Sequence, residues 1–150
     1  MDETKEEFQI KGRTFHQPEF ATLDKKAVFT PVQIPVSNKQ NGQFRMASIR
    51  SEGQFNTIIY EEQDTFRGVE NRWVVLMNRE DMDKLNISEG SRVSIKNDIG
   101  EMNDLYAKSF NIHRGNVATY FPESNVLIPA EADMRSKTPS FKSTMVMIIQ

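Results

Sequence analysis

The first residues that could do chemistry lie in the loop Arg50–Thr57, RSEGQFNT, directly after an apolar segment. Arg50 offers a planar fork of donors that matches phosphate, and Gly53 stands where backbone N–H groups at a strand end can meet an anion. Amide and hydroxyl side chains, which can pair with phosphate oxygens and heterocycle edges, complete the loop: Gln54, Asn56 and Thr57. A solvated surface loop has the same composition, so this loop by itself leaves both interpretations open.

A second group of candidate residues lies in Gly115–Asn125, GNVATYFPESN. Tyr120 and Phe121 provide flat apolar surface, and Asn125 follows a Pro-Glu turn. A purine or pterin ring is recognised by one stacking face and a few in-plane hydrogen bonds, which this mixture can provide. A core aromatic pair followed by a β-turn would look the same. A third candidate is TPSFK, in which Lys142 follows an aromatic residue, although an ordinary loop also fits it.

Metal and catalytic motifs are scarce in the sequence. It has no cysteine, so this chain cannot supply a disulfide, an iron–sulfur cluster or a thiolate-bound zinc ion. Its two histidines, His16 and His113, lie far apart in sequence, and we expect no histidine-based metal site. His113–Arg114 and Glu61–Glu62 could act as acids or bases, but no nucleophile or second catalytic group is placed beside them. We interpret both pairs as solvated, and the sequence contains no phosphate-loop, zinc or triad motif.

The composition limits the partners that the chain can bind. It carries 19 basic and 21 acidic residues, whereas nucleic-acid-binding domains are usually strongly basic, so we expect no nucleic-acid partner. No apolar run reaches the ~20 residues that cross a bilayer, and the acidic start MDETKEEFQI lacks the apolar core of a signal peptide. We therefore expect no membrane association and a cytoplasmic location. The 150 residues, of which 37% are apolar, suffice for one core and one ordinary domain.

The segments that must position these groups are mostly short strands. Trp73–Asn78, WVVLMN, is the clearest buried strand, and Asn78 can cap a short helix that carries Met82 and Leu85 on one face. A strand edge is also expected at Ala27–Phe29. The other expected strands and short segments are Phe44–Ile49, Ser91–Asp98, Leu105–Phe110, Asn116–Pro122, Asn125–Pro129 and Ser143–Ile149. Many short strands with one or two small helices predict an all-β barrel or sandwich.

The segment that follows the short helix favours a barrel over a sandwich. The run LNISEGSRV turns at Glu89–Gly90 into a strand that starts at Val93, which is typical of six-stranded double-psi β-barrels. Any helix-to-strand turn with a glycine C-cap would also fit. We predict a mainly β chain in which residues 1–12 form a flexible N-terminal segment and residues 13–150 form the barrel domain.

Taken together and in order, three motifs resemble the C-terminal molybdopterin dinucleotide-binding domain of molybdopterin oxidoreductases. That family shows R-S-x-x-Q-F-N-T, then Y-F-P-E-x-N-x-L-x-P, then D-x-R-S-x-T-P-x-(aromatic)-K, and this chain has RSEGQFNT, YFPESNVLIP and DMRSKTPSFK. The branch that it resembles most is the formate-dehydrogenase-like alpha subunits. The resemblance covers about residues 13–149, and three correctly spaced motifs are far more specific than any one of them.

The resemblance implies a six-stranded double-psi β-barrel that forms one wall of a site for molybdopterin guanine dinucleotide. In such enzymes two copies of this cofactor hold a molybdenum or tungsten atom. The loop Arg50–Thr57 would contact the pyrophosphate and the pterin, and residues of the later motifs would line the pterin or nucleotide end. The cofactor-binding residues implied in this way are Arg50, Ser51, Gln54, Phe55, Asn56, Thr57, Tyr120, Asn125 and Lys142.

Catalytic subunits of this family are several times longer than 150 residues. We therefore expect a fragment, a separately expressed domain or a small subunit, partnered by the remaining domains or the large subunit of an oxidoreductase and inactive alone. A stand-alone barrel for protein interaction or substrate recognition is the alternative, although it does not explain RSEGQFNT together with YFPESN. A self-processing decarboxylase would need a Gly-Ser step, for which Gly90–Ser91 is the one candidate.

Overall fold

The computed structural model of the protein describes residues 20–34, 36, 40–55 and 61–150. The chain divides into two compact units, Met1–Ser37 and Asn38–Gln150. In the first unit, Thr22–Lys26 forms a turn in which Thr22 Oγ1 donates to the carbonyl oxygen of Lys26 at 2.8 Å. The strand edge predicted at Ala27–Phe29 is wrong, because no strand of the described residues pairs with it. The flexible segment predicted for residues 1–12 lies outside the described residues.

The second unit contains six strands, one α-helix and two 3-10 helices among its described residues. The 3-10 helices span Thr65–Arg67 and Glu123–Leu127. In chain order, the other elements are β1 Gln43–Ile49, β2 Val74–Met77, α1 Arg79–Lys84, β3 Arg92–Lys96, β4 Glu101–Ser109, β5 Asn116–Tyr120 and β6 Thr144–Ile149. The strands close into a barrel in the order β1-β5-β2-β4-β3-β6. The prediction of a mainly β, six-stranded barrel with few short helices is therefore confirmed.

The barrel has an internal twofold pattern of strand pairing. β1 runs parallel to β5 and β2 runs parallel to β4, while the other four pairs are antiparallel. Exchanging β1 with β4, β2 with β5 and β3 with β6 leaves every pairing unchanged. This is the strand symmetry of a double-psi barrel, in which two similar three-strand units interlock.

Period-two alternation puts the core inside the barrel, because successive strand side chains point to opposite faces. In β1, Phe44 and Met46 are buried while their neighbours are only partly covered, and in β3 Val93 and Ile95 are buried while their neighbours are exposed or partly covered. These four side chains belong to one cluster of buried apolar residues that includes contributions from every strand. Every residue of β2 is buried, as its continuous apolar sequence predicts.

Two elements differ from the sequence-based expectation by more than one or two terminal residues. β4 begins at Glu101 rather than Leu105, because the turn at Asn97–Gly100 returns the chain at once into antiparallel pairing with β3. The segment expected at Asn125–Pro129 is mainly 3-10 helix, in which the N–H of Asn125 donates to the carbonyl oxygen of Pro122. Strand pairing and local turn bonds override weak side-chain patterns in both places.

The short helix α1 forms as predicted. The side chain of Asn78 accepts a hydrogen bond from the N–H of Glu80 at 2.9 Å, and Glu80 and Asp81 place negative charge in the first turn. Met82 is fully buried and anchors the helix to the barrel. Within the part of the chain that the structure describes, no helix has the length and apolarity that a membrane span needs.

Candidate functional site

The first two candidate motifs leave the barrel at the same end. β1 and β5 are parallel neighbours, with Ile49 opposite Tyr120, so the loops that follow them start side by side. The N–H of Phe121 donates to the carbonyl oxygen of Ile49 at 2.8 Å and fixes that start. We call residues 50–55 the first loop and residues 121–125 the second loop. The N–H of Ser48 donates to the carbonyl oxygen of Phe141 at 2.8 Å, which brings the third motif to the same place.

A groove of about 330 Å³ opens where the three motifs meet. It is lined by Ser48, Arg50, Phe121, Phe141 and Lys142. The guanidinium carbon of Arg50 lies 5.4 Å from the centroid of the Phe121 ring, a cation–π distance. The groove therefore combines two cationic side chains with two aromatic rings, although the five residues come from three separate segments of the chain.

The positive charges of Arg50 and Lys142 repel each other in the groove. Lys142 Nζ donates to the carbonyl oxygen of Ser48, which holds the ammonium group at the groove. Burial lowers the pKa of Lys142, and the positive charge of Arg50 lowers this pKa further. An anion placed between Arg50 and Lys142 would relieve this repulsion, so the groove is electrostatically suited to a ligand with more than one negative charge.

A buried arginine connects the first and second loops beneath the groove. Arg72, which is only 1% exposed, donates from Nη1 to Ser51 Oγ at 2.7 Å and from Nη2 to Gln54 Oε1 at 3.3 Å. On the second loop, its Nε and Nη2 donate to the two carboxylate oxygens of Glu123 at 2.7 and 3.0 Å. Nη2 also donates to the carbonyl oxygen of Phe121. The buried charge is thus paired and hydrogen-bonded, as burial requires.

A second buried cluster supports the same two loops. Tyr120 is fully buried, and its hydroxyl donates to Asp64 Oδ2 at 2.9 Å. Arg67 Nη1 donates both to Asp64 Oδ2 and to the carbonyl oxygen of Arg50, the latter at 3.1 Å. Burial by itself would raise the pKa of Asp64, but the hydrogen bonds from Arg67 and Tyr120 outweigh it and hold this pKa below its ordinary value. Burial and the adjacent Asp64 carboxylate raise the pKa of Tyr120, so its hydroxyl remains a donor.

The structure sorts the predicted site residues into three groups. Arg50 and Lys142 line the groove, whereas Phe55 and Asn125 are exposed on the two adjoining loops. The side chains of three predicted residues instead point into the protein and hold the loops from below: Ser51, Gln54 and Tyr120. Asn56 and Thr57 lie outside the described residues. The assignment of these residues to a cofactor therefore stays a prediction.

Three residues of the site were absent from the predicted cofactor-binding set. The sequence indicated the flat apolar surface of Phe121 and an aromatic residue before Lys142, but neither Phe121 nor Phe141 was assigned to the site, and both line the groove. Arg72 stands outside all three motifs. Its signal was a charged side chain two residues before the buried strand β2, where a cation must find buried partners. Among the described residues, no group of three or more histidine, aspartate or glutamate side chains could hold a metal ion.

Comparison with protein families gives one match that covers most of the barrel. Residues 44–145 match the family described as the molydopterin (molybdopterin) dinucleotide binding domain. An uncharacterised oxidoreductase of Mycobacterium tuberculosis is 33% identical over 155 residues, covering 94% of this chain and 20% of that protein. Protein YdeP of Escherichia coli is 32% identical over 119 residues, covering 73% of this chain and 16% of that protein. This chain thus spans about a fifth of the length of these curated relatives or less.

The fold also matches a solved structure. Acetylene hydratase from Pelobacter acetylenicus aligns with a TM-score of 0.52 and 12% sequence identity, covering 71% of this chain and 18% of that chain. At this identity the match supports the barrel architecture alone.

Proposed function

The chain belongs to the molybdopterin dinucleotide-binding domain family, and on this premise we propose that it binds molybdopterin guanine dinucleotide within a larger oxidoreductase. We propose further that it is the C-terminal domain of a formate-dehydrogenase-like enzyme that uses molybdenum or tungsten. Its relationship to proteins named oxidoreductases supports the reaction class. The three motifs in RSEGQFNT, YFPESN and TPSFK support the formate-dehydrogenase-like branch.

This proposal depends on one observation. Arg50 and Lys142 line the same groove, and that groove also presents two aromatic rings. The cofactor carries a pyrophosphate, and Arg50 can meet phosphate oxygens with two parallel N–H donors while Lys142 supplies a compact charge. The rings of Phe121 and Phe141 offer faces for the pterin or the purine. The residues of the groove therefore fit the group that the family binds.

Each part of the site has its own task in this proposal. Arg50 and Lys142 bind and orient the phosphates, and the exposed side chains of Phe55 and Asn125 extend contact to the ring systems. The bound cofactor supplies the metal centre for the electron chemistry of the enzyme. The described residues of the chain hold no metal-ligating group of their own at the groove, so their contribution is binding and orientation.

The remaining domains of the larger protein complete the pocket in this proposal. The relatives are about five times longer than the aligned segment, and a groove of about 330 Å³ on this chain can cover only part of a dinucleotide. We therefore expect no redox activity from the 150 residues alone and only weak cofactor binding. The enzyme acts in the cytoplasm, and its partners are its other domains or a large subunit, rather than nucleic acid or membrane.

The experiment that tests this proposal is cofactor analysis of the protein purified at its natural length from its native host. Oxidised pterin is measured by fluorescence, guanosine monophosphate after acid hydrolysis, and molybdenum or tungsten by mass spectrometry. Arg50→Ala and Lys142→Met should each lose the cofactor about tenfold faster or more, the scale of one hydrogen bond to a charged group.

Two matched variants control for loss of positive charge. Arg79→Ala and Lys84→Ala remove exposed cations of α1, which lies at the end of the barrel opposite the groove, and should retain the cofactor normally. Purified protein without pterin or guanine nucleotide would refute the proposal. Equal cofactor retention in all four variants would refute the site and favour an interaction module.

A further inference from the structure

We propose that Arg72 is a positioning residue that sets the spacing of the two loops on either side of the cofactor groove. Hydrogen bonds from one guanidinium group reach both loops, with two acceptors on the first and three on the second, and Nη2 shares its two hydrogens among three of these acceptors. All of these bonds end on the loops rather than on the strands of the barrel. The inference about spacing stands on geometry alone, whereas its consequence for cofactor binding rests on the proposed function.

Arg72 binds the two loops at or directly beside residues that line the groove. On the first loop its partner Ser51 follows Arg50, and on the second loop it binds the carbonyl oxygen of Phe121 itself. Arg50 and Phe121 line the groove and lie 5.4 Å apart, measured from guanidinium carbon to ring centroid. A shift of Arg72 therefore changes the distance between the cation that faces the phosphates and the aromatic face beside it.

The immediate surroundings of Arg72 restrict it to one orientation. Its guanidinium carbon lies 4.7 Å from the centroid of the buried Tyr120 ring, and Glu123 binds it through both carboxylate oxygens. Gln54 adds a cross-brace, since its Nε2 donates to the carbonyl oxygen of Phe121 at 3.0 Å while its Oε1 accepts from Arg72. A rigid planar fork satisfies these partners at once, and a lysine at this position keeps the charge but not the fork.

Arg72→Lys therefore separates the geometry of the fork from its charge. Amide hydrogen exchange of the 150-residue chain tests this at two backbone N–H groups. The N–H of Gln54 donates to the carbonyl oxygen of Ser51, and the N–H of Phe121 donates to the carbonyl oxygen of Ile49. Protection at both amides should fall together by about tenfold or more, the scale of one hydrogen bond to a charged group.

Val93→Ala is the matched control for a general loss of stability. Val93 is buried in the main core on β3, outside the two loops, and its truncation lowers global stability. At equal midpoint of unfolding, the two amides should be less protected in Arg72→Lys than in Val93→Ala. Equal protection in the two variants would overturn the proposal, because Arg72 would then act only through overall stability.

A milder variant keeps the test decisive if Arg72→Lys does not fold. Ser51→Ala removes one bond to the guanidinium group without leaving a charge unpaired, and it should lower protection at Gln54 and Phe121 by a smaller factor. Where Arg72→Lys folds, the two effects should combine less than additively in the double variant, since both weaken the same bond. Unchanged protection in Ser51→Ala, or full additivity in the double variant, would overturn the proposal.

The cofactor measurement distinguishes this inference from the proposed function. In the protein at natural length, Arg72→Lys should lose pterin faster than Val93→Ala. If the loops loosen in Arg72→Lys while Arg50→Ala and Lys142→Met retain the cofactor, the proposed site fails and the positioning role survives. If those two variants lose the cofactor and Arg72→Lys behaves as Val93→Ala, the positioning role fails alone.

Discussion

Replacing Tyr120 with phenylalanine removes one oxygen atom from a buried hydrogen bond and leaves the ring in place. The tyrosine hydroxyl donates to Asp64 Oδ2 at 2.9 Å, and neither residue is more than 1% exposed. After the substitution, Asp64 keeps its ion pair with Arg67 and its bond to the Arg67 N–H. The variant therefore weakens one charge-assisted bond without leaving a carboxylate unpaired.

The structure sets the size of the expected effect. A hydrogen bond to a charged group contributes about 1.5–3 kcal/mol, and the surviving partner Arg67 places Tyr120→Phe near the lower end of this range. For a unit of the size of Asn38–Gln150, a loss of about 1.5 kcal/mol lowers the midpoint of thermal unfolding by roughly 4–8 °C.

The effect should also depend on pH with a definite sign. The pKa of Asp64 is held below its ordinary value of 3.8 in the folded state. A carboxyl group with a lowered pKa contributes stability that is present above 3.8 and is lost as the pH falls through the folded pKa. Because Tyr120 contributes to lowering this pKa, the stability difference between wild type and Tyr120→Phe should be largest at neutral pH and shrink as the pH falls through the lowered pKa of the folded state.

Urea-induced unfolding at pH 7 and at a series of lower pH values measures this difference, with the single tryptophan, Trp73, as the fluorescent reporter. Tyr106→Phe is the control, since Tyr106 is 37% exposed and its hydroxyl accepts from the exposed Arg92. The control should change stability by less than about 0.5 kcal/mol. A loss in Tyr120→Phe below about 0.5 kcal/mol at pH 7, or a loss that stays constant as the pH is lowered to the acid unfolding transition, would refute the reasoning.

Three further substitutions test other parts of the structure. Arg50→Met should raise the pKa of Lys142 toward its ordinary value, because one cause of its lowering is the charge of Arg50; carbon-13 titration of the lysine Cε reports this. Asn78→Ala should cost about 1 kcal/mol or more in urea unfolding, since it removes the cap of α1 and a bond to the neighbouring loop. Gly100→Ala should reduce the free energy of unfolding by about 1–3 kcal/mol or more, because its Cβ would lie 2.3 Å from the Val126 carbonyl oxygen. A lower melting temperature would report this loss.

Most of the barrel could be predicted from the sequence because its strands bury one face. Alternating or continuous apolar residues identified the segments that became β1, β2, β3 and β6, and Asn78 identified the start of α1. The first part of β4, which starts at Glu101, carries mostly polar residues and was missed, since its strand structure comes from pairing with β3. The local pattern of apolar residues indicates which side chains are buried. Strand pairing, in contrast, can impose extended structure on a segment that has little apolar pattern of its own.

The candidate site was predictable in part. The three motifs were recognisable, and Arg50 and Lys142 do line one groove. The sequence did not indicate which way the loop side chains point. We predicted that Ser51 and Gln54 contact the cofactor, but their side chains are buried and bind Arg72. The cost of burying an unpaired guanidinium group explains this, because the loops must supply its acceptors.

The sequence by itself determined which segments bury apolar side chains, which residue types could meet a phosphate, and the family to which the chain belongs. Only the tertiary structure decided which of these residues meet. Arg50, Phe121 and Lys142 are separated by 71 and 21 positions in sequence and line one groove because barrel closure makes β1 and β5 parallel neighbours and brings the turn before β6 beside them. The physical reason is that closure satisfies the backbone hydrogen bonds of all six strands at once, a condition on the whole chain that no short segment expresses.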